Sequence, residues 1–227
     1  MNKISVKAIL SDASGILIED NKYGKGLMKA VAAMTGRNCE ELWKAFAPYA
    51  HKARTVADYS NSDALRAFLS HTGLNYSSTE SVLAGYQAHP CLSVLPDVHN
   101  TLRNLKEQGI QFIIITDATV TAEQMRPALS VARLSDMVTD VISSKDVGVT
   151  KPDRRIFDYA LERNGLRKDD VVFVAHEHDE LYGAHTLGYN VIAVNYDIAD
   201  NLSFIPEERM LATFPDILKI VSLKSND

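Results

Sequence analysis

Short apolar segments recur along most of the chain, and each is followed by polar or turn-forming residues. Near-continuous apolar runs of four or five residues are typical of strands buried on both faces, as in parallel sheets. The run near residue 140 is weaker than the others. In chain order, the predicted strands are Val6–Leu10, Phe112–Ile115, Val138–Ile142, Val171–Ala175 and Val191–Val194.

Segments with helical periodicity lie between these runs. Strands that alternate with helices of this size imply right-handed βαβ crossovers, and therefore a doubly wound parallel sheet of the α/β class. The predicted helices of this part of the chain are Val98–Gln108, Ala122–Ala132, Asp153–Asn164, Leu181–Leu187 and Pro215–Val221.

One stretch breaks the alternation, because residues 25–89 contain amphipathic helical patterns and no convincing strand. The simplest interpretation is an all-helical domain over residues 21–90, inserted into an α/β core domain made of residues 1–20 and 91–227. The predicted helices of the inserted domain are Lys25–Thr35, Cys39–Val56, Ser62–His71 and Ser78–His89.

Composition limits the classes of function. The 227 residues are 46% hydrophobic and carry a formal net charge of −5, without the clustered basic face of a nucleic-acid binder. No apolar run approaches the ~18–20 residues of a membrane span. Cys39 and Cys91 lie far apart and fit no metal-finger or disulfide framework. We therefore expect a reduced, cytoplasmic protein, a monomer or a homodimer, that binds neither nucleic acid nor membrane.

Polar residues stand where the predicted strands end, and ligands of open α/β sheets bind beyond the carboxyl ends of the strands. Asp12 follows the first strand, where a carboxylate can act as a covalent nucleophile or a cation ligand, or merely form an Asx turn. Thr116, which Asp117 follows, can donate a hydrogen bond to an anionic oxygen or cap the next helix. Lys151 can neutralise an anionic substrate or a charged transition state.

Taken in order, these residues resemble the motifs of the haloacid dehalogenase (HAD) superfamily. That pattern is an aspartate after the first strand, a threonine or serine at the second strand end, Lys-Pro before a helix, and an acidic fourth loop. The most specific match is the segment Gly148–Phe157, which contains Lys151 and Pro152. The segment Tyr182–Gly188 resembles the helix after the fourth motif, and the helical insertion resembles the family's helical cap.

The resemblance implies a hydrolase in which Asp12 attacks the substrate and forms a covalent intermediate, an aspartyl phosphate in most members. Thr116 and Lys151 would hold the transferring group, with Asp117 next to them in the substrate-binding loop. The cap would close over the site and select the substrate, which we expect to be a small anionic molecule. The basic cluster around Arg54 can face that substrate, although such clusters are also typical of a solvated helix face.

Two positions depart from the family pattern. Ser14 occupies a catalytic position at which the phosphatases carry an aspartate, and its hydroxyl cannot act as a comparable acid or base near neutral pH. His176 occupies the place of the first aspartate of the fourth loop, which weakens the prediction of a Mg²⁺ cofactor because that ion prefers oxygen ligands. The predicted ligands of the ion are Asp12, the backbone carbonyl of Ser14, Glu177 and Glu180.

Three functions therefore remain open. The first is a phosphatase with displaced acid and metal ligands, favoured because phosphate esters are the usual substrates of the family. The second is a dehalogenase-like hydrolase, which needs neither the second aspartate nor magnesium. Against it, Ile16, Ala175 and Glu177 replace the hydroxyl, serine and asparagine of known dehalogenases. A related phosphonatase would need a cap lysine, for which Lys52 is a loose candidate. The third is a non-catalytic binding protein.

Overall fold

The computed structural model describes residues 3–19, 22–74, 81 and 93–225. Its strands are β1 (Ile4–Val6), β2 (Ala8–Ser11), β3 (Gln111–Thr116), β4 (Asp140–Ser143), β5 (Val171–Ala175), β6 (Asn190–Val194), β7 (Met210–Leu211) and β8 (Val221–Leu223). Six of them form one parallel sheet in the order β4-β3-β2-β5-β6-β7, and β1 pairs with β8 in a separate two-stranded sheet. The predicted doubly wound α/β core is confirmed.

Strand β2 lies at the centre of the main sheet, where all four of its residues are buried. Its side chains alternate between two apolar clusters, one on each face of the sheet. Ile9 belongs to the cluster that contains Leu102, and Leu10 belongs to the cluster that contains Phe157. Because both faces are covered, the strand is apolar at successive positions, which explains the continuous apolar runs in the sequence.

The helices of the described residues are α1 (Lys22–Thr35), α2 (Cys39–Thr55), α3 (Asn61–His71), α4 (Val98–Glu107), α5 (Ala122–Val131), α6 (Ser144–Val147), α7 (Arg154–Arg163), α8 (His178–Thr186) and α9 (Ile217–Ile220). The ends of α4, α5 and α7 lie within one residue of the prediction. Side-chain caps define two of the starts: Thr121 accepts a hydrogen bond from the amide of Gln124, and Asp153 accepts one from the amide of Arg155.

Helices α1 to α3, residues 22–74, follow β2 and precede the rest of the core; they are called the helical insert below. Asn38 caps α2, and Ser60 and Asp63 form a capping box at the start of α3. The insert has its own apolar core, in which Leu42 and Phe68 are almost fully buried. The buried side chains of these helices therefore form a cluster of their own beside the two clusters of the sheet.

Two expectations fail at the edge of the fold. The first predicted strand breaks at Lys7, and the residues before it leave the main sheet to pair with β8. The predicted helix at Pro215–Val221 is only a 3-10 turn followed by the short α9, because Val221 starts β8 instead. Val221 is β-branched, fully buried and paired with Ile4, which explains why it favours a strand.

Other differences are small. Helix α8 starts at His178, three residues before the predicted Leu181, because its first turn is polar and carries no apolar periodicity. The predicted helix at Ser78–His89 lies almost wholly outside the described residues, as do both ends of the predicted 21–90 domain. Among the residues that are described, no helix combines the length and the apolar character needed to cross a membrane.

Candidate active site

The carboxyl end of β2 carries Asp12 into the edge of the sheet where ligands bind in such folds. The strand is flanked on both sides by parallel partners, β3 and β5. The amide of Asp12 continues this pairing, because it donates a hydrogen bond to the carbonyl oxygen of Val174 at 2.9 Å. Asp12 is buried, so the sheet fixes both the backbone and the immediate surroundings of this carboxylate.

The ammonium group of Lys151 bridges two carboxylates. Its Nζ lies 2.5 Å from Oδ1 of Asp12 and 3.0 Å from Oε1 of Glu180, and the lysine side chain is 0% exposed. A lysine is buried in this way only when it is paired. The structure thus brings together two predicted site residues, Asp12 and Lys151, and adds Glu180 as a partner of the lysine rather than a metal ligand.

A close contact between α8 and the loop before α7 holds this arrangement. A Cβ atom added at Gly183 of α8 would lie 2.2 Å from Cβ of Pro152, so a glycine is needed there. Glu180 is on the same helix and Lys151 directly precedes the proline. The second carboxylate oxygen of Glu180, Oε2, is buried and accepts no hydrogen bond from the described residues. One oxygen is therefore held by Lys151, while the other is buried without a hydrogen-bond partner among the described residues.

Burial and charge together set the protonation of this cluster. Burial raises the pKa of Glu180 to about 8, and the positive charge of Lys151 offsets that rise only in part. Burial on its own lowers the pKa of Lys151, but the carboxylates of Asp12, Glu180 and Asp117 outweigh it and raise this pKa above its usual value. Lys151 is therefore a permanent cation, and Glu180 changes its charge close to physiological pH.

His176 lies on the other side of the Asp12 carboxylate. Its Nε2 is 3.9 Å from Oδ2 of Asp12. The ring also lies against the backbone of Gly15, since a Cβ atom there would be 2.8 Å from Nε2. Gly15 has a φ of +70°, which a glycine adopts without strain. The Gly15 position thus makes room for the imidazole beside the candidate nucleophile.

Thr116 and Asp117 stand at the end of β3, the neighbour of β2. Thr116 is buried at the last position of that strand. Asp117 accepts a hydrogen bond from the amide of Lys151 at 3.0 Å. Burial raises the pKa of Asp117, and the charges of Lys151 and Arg54 oppose this rise in part. Arg54, which is exposed at the end of α2, is thus one of the positive charges that lower the pKa of Asp117.

Of the predicted magnesium ligands, Asp12 and Glu180 lie together around the ammonium of Lys151. Glu177 is exposed and lies on the outer side of the fourth loop, whereas the inward carboxylate of Glu180 is bound by Lys151. Ser14 is half-buried, and its backbone forms an isolated bridge with Ile18. Among the described residues, no group of three or more histidines, cysteines, aspartates and glutamates has the arrangement of a metal site. With a buried ammonium and an imidazole beside Asp12, these residues do not fit Mg²⁺.

An open cavity of about 430 Å³ adjoins the outer side of His176. Its lining includes four carboxylates, those of Glu177, Asp179, Asp197 and Asp200. Such a wall repels a small anion.

Sequence reasoning missed one residue of this neighbourhood. Asn195 follows β6 with a φ of 52°, and its side-chain amide donates a hydrogen bond to the carbonyl oxygen of Gly15 at 3.1 Å. It braces the loop that carries Asp12. The signal was present, because Asn195 is a polar residue directly after an apolar run, as are Asp12 and His176.

Known proteins share this fold and parts of this sequence. The chain is 32% identical over 108 residues to (S)-2-haloacid dehalogenase 4A of Burkholderia cepacia, covering 48% of this chain and 46% of that protein. It is 26% identical over 133 residues to a phosphoglycolate phosphatase of Pasteurella multocida, covering 58% of each. The chain thus spans about half the length of these curated relatives.

Solved structures extend the likeness in fold to nearly the whole chain. The crystal structure of a dehalogenase with an intermediate complex superposes with a TM-score of 0.68 and 23% identity, over 97% of this chain and 99% of that one. The sequence profile of haloacid dehalogenase-like hydrolases matches residues 9–194, a span that contains Asp12, Thr116, Lys151 and Glu180. The chain therefore belongs to the family of haloacid dehalogenase-like hydrolases.

Proposed function

We propose that this chain is a metal-independent hydrolase in which Asp12 displaces halide from a small 2-haloalkanoic acid. The observation that carries the proposal is the bridge from Lys151 to Asp12 and Glu180, which puts a fixed cation beside the nucleophile. No cluster of three or more histidines, cysteines, aspartates and glutamates suited to a metal occurs among the described residues. Halide is a leaving group that departs without protonation. Ser14 has no acidic group with which to protonate a leaving group, and this reaction does not need one.

In the first step, the free oxygen Oδ2 of Asp12 attacks the carbon that bears the halogen. The new C–O bond forms as the C–X bond breaks, and the halide leaves with the bonding electron pair. The product is an ester between Asp12 and the substrate carbon. Oδ1, which Lys151 holds at 2.5 Å, becomes the carbonyl oxygen of that ester.

In the second step, water attacks Cγ of this ester. Negative charge develops on Oδ1, where the Lys151 ammonium stabilises it as an oxyanion. Glu180 accepts one proton from the attacking water through Oε2 and returns it to the alkoxide of the departing product, while the regenerated Asp12 releases the remaining proton to solvent. The products are a 2-hydroxy acid, a halide ion and one proton.

The proposed role of the helical insert is to cover the active site and to select substrates by their charge. We propose that it acts as a cap, with Arg54 attracting the carboxylate of the substrate and Thr116 donating a hydrogen bond to it. Neither residue lines the acidic outer cavity. Closure of the cap would exclude bulk water until the ester has formed.

The test is halide release from both enantiomers of 2-chloropropionate and 2-bromopropionate, measured with a chelator and with added magnesium. We expect release that is the same under both conditions and absent in Asp12→Asn. A single turnover with excess enzyme in water enriched in oxygen-18 adds a sharper test. The first hydroxy acid formed should carry an unlabelled oxygen, because that atom comes from Asp12, and a labelled first product would contradict the mechanism.

A phosphomonoester is the second candidate substrate, supported by the phosphatase relatives and by Thr116 at the end of β3. The same attack by Asp12 would then give an aspartyl phosphate. Phosphate release from a panel of small phosphomonoesters, with magnesium and with a chelator, distinguishes this reaction. Magnesium-dependent phosphate release without halide release would replace our proposal. Release of neither product would favour the non-catalytic binding protein.

A further inference from the structure

Lys145 is a second buried lysine, and the proposed reaction does not use it. It lies in the four-residue helix α6, directly after β4, and is 7% exposed. Its Nζ donates hydrogen bonds to the backbone oxygens of Ala53 at 2.8 Å and Tyr59 at 2.7 Å, and to that of Val56. The three acceptors belong to the helical insert, so a core lysine is enclosed by the carbonyl groups of another layer of the fold.

One of these carbonyl groups, that of Ala53, is in the last turn of α2, and the other two are in the turn that follows the helix. The last carbonyls of a helix have no partner within it, and the partial negative charge at this end attracts a cation. At the end of α2, the amide of Val56 donates a hydrogen bond to the carbonyl oxygen of Lys52, and Lys145 donates one to that of Ala53. The ammonium of Lys145 thus completes the C-terminal end of α2 and the turn that leads into α3.

The same short helix is also tied to the substrate-binding loop. The hydroxyl groups of Ser143 and Ser144 donate hydrogen bonds to backbone carbonyls in residues 118–120, at 2.7 and 3.2 Å. That loop follows Thr116 and Asp117. Helix α6 is therefore fastened on one side to the loop that leads away from the site and on the other side to the end of α2.

We propose that Lys145 is a positioning residue that fastens the end of α2 to the core and so holds Arg54 next to the candidate active site. Arg54 adjoins Ala53, the residue whose carbonyl oxygen Lys145 binds. A change in the position of this helical turn moves the arginine directly. This proposal rests on the proposed function only in the experiment that measures substrate affinity.

The charge of Lys145 makes its contact with the helical insert specific. A buried ammonium is costly unless it is hydrogen-bonded. The three carbonyl groups of the insert supply those hydrogen bonds. The fastening therefore depends on the ammonium group, and an apolar side chain of similar size does not replace it.

Hydrogen exchange of the full-length protein tests the fastening without any substrate. In Lys145→Met we expect the amides of residues 52–60 to exchange about tenfold faster, while those of β2, β3 and β5 keep their wild-type rates. Lys106→Met is the control, because Lys106 also donates a hydrogen bond to a backbone carbonyl, that of Asp136, but this exposed contact lies within the α/β part of the chain and does not involve the helical insert. Unchanged exchange in residues 52–60, or equal acceleration throughout the core, would overturn the proposal.

Steady-state kinetics test whether Lys145 affects substrate affinity through Arg54. The substrate is whichever one the wild type hydrolyses. Lys145→Met should raise KM about tenfold and leave kcat within about threefold, with Lys145→Arg restoring part of the affinity. In an Arg54→Gln background, Lys145→Met should raise KM by less than about twofold, because the residue that it positions is already lost. Independent, multiplicative effects on KM would overturn the role. Failure of the hydrolytic proposal would remove this measurement but leave the exchange experiment decisive.

Discussion

Nζ of Lys151 and Oδ1 of Asp12 lie 2.5 Å apart, in a pocket from which the lysine side chain has no exposure to solvent. One oxygen of the carboxylate is thereby occupied, and the other faces His176 at 3.9 Å. The two oxygens of Asp12 thus have different surroundings before any substrate binds. This asymmetry selects Oδ2 as the attacking atom and leaves Oδ1 as the atom on which negative charge is stabilised.

Removal of the lysine charge should therefore affect chemistry and stability together. In Lys151→Met we expect kcat to fall by about 10²–10³-fold, because the ester oxyanion loses its only described cation contact. The free energy of unfolding at pH 7.5 should fall by about 3–5 kcal/mol, since the Asp12 carboxylate is left buried without the charge that pairs it. Steady-state kinetics and urea unfolding measure the two effects.

The double variant Asp12→Asn with Lys151→Met is the control for this interpretation. It removes both members of the pair, so it should cost less stability than the sum of the two single variants. Additive losses would show that the two charges do not stabilise each other.

The activity should depend on the protonation of Glu180. Its pKa is about 8 in the folded protein, above the ordinary value of 4.5, because the side chain is buried. Only the carboxylate can accept a proton from water, so hydrolysis of the ester should slow as the pH falls through about 8. A pH profile of the rate of ester hydrolysis in single turnovers tests this, with Glu180→Gln expected to abolish the dependence. A profile that follows a group near pH 4 would contradict the role of Glu180.

The same pKa has a consequence for stability. The folded protein binds the Glu180 proton more tightly than the unfolded chain, so this group stabilises the fold fully below about pH 4.5 and loses that contribution as the pH rises through about 8. Urea unfolding of the wild type and Glu180→Gln at several pH values should show their difference changing mainly between these limits. A constant difference across that range would argue against the raised pKa.

Gly15 and Gly36 provide a matched pair for the position of His176. Both have a φ near +70°, so alanine strains the backbone equally at the two positions, but only a Cβ at Gly15 meets the imidazole. We expect Gly36→Ala to cost about 1–2 kcal/mol of stability and to leave kcat unchanged. Gly15→Ala should cost about 1–3 kcal/mol more through overpacking and should also lower kcat. Equal effects of the two substitutions would mean that the ring moves away without consequence.

Most of the fold could be predicted from the sequence because its signals are local. Continuous apolar runs indicate doubly buried strands, and polar residues directly after them, such as Asp12 and Thr116, mark the ligand-binding edge. The short strand β8 was not predicted, because Val221 follows a helical pattern and its partner Ile4 is more than two hundred residues away in sequence. No local pattern reports that pairing.

The candidate site was less predictable, because its properties depend on which charges meet. The expectation that Glu180 is a metal ligand followed from the resemblance of its loop and the next helix to the fourth motif of the family. In the folded chain the same residue contacts a buried lysine from a different loop, which changes both its partner and its pKa. Lys145 was missed for a similar reason, since only the packing of α6 against α2 shows that this lysine is buried.

The contact between Gly183 and Pro152 gives the last prediction. Gly183 lies inside α8 without an unusual φ, so alanine should favour the helix itself by about 1 kcal/mol. Its Cβ would nevertheless meet Cβ of Pro152 at 2.2 Å and push the loop of Lys151 away from Glu180. We therefore expect Gly183→Ala to destabilise the protein despite the better helix former and to lower kcat by about tenfold or more, because a misplaced catalytic group is costly. Urea unfolding and the kinetics of halide release measure these effects. A more stable variant with wild-type kcat would show that this packing does not set the distance between Lys151 and its two carboxylates.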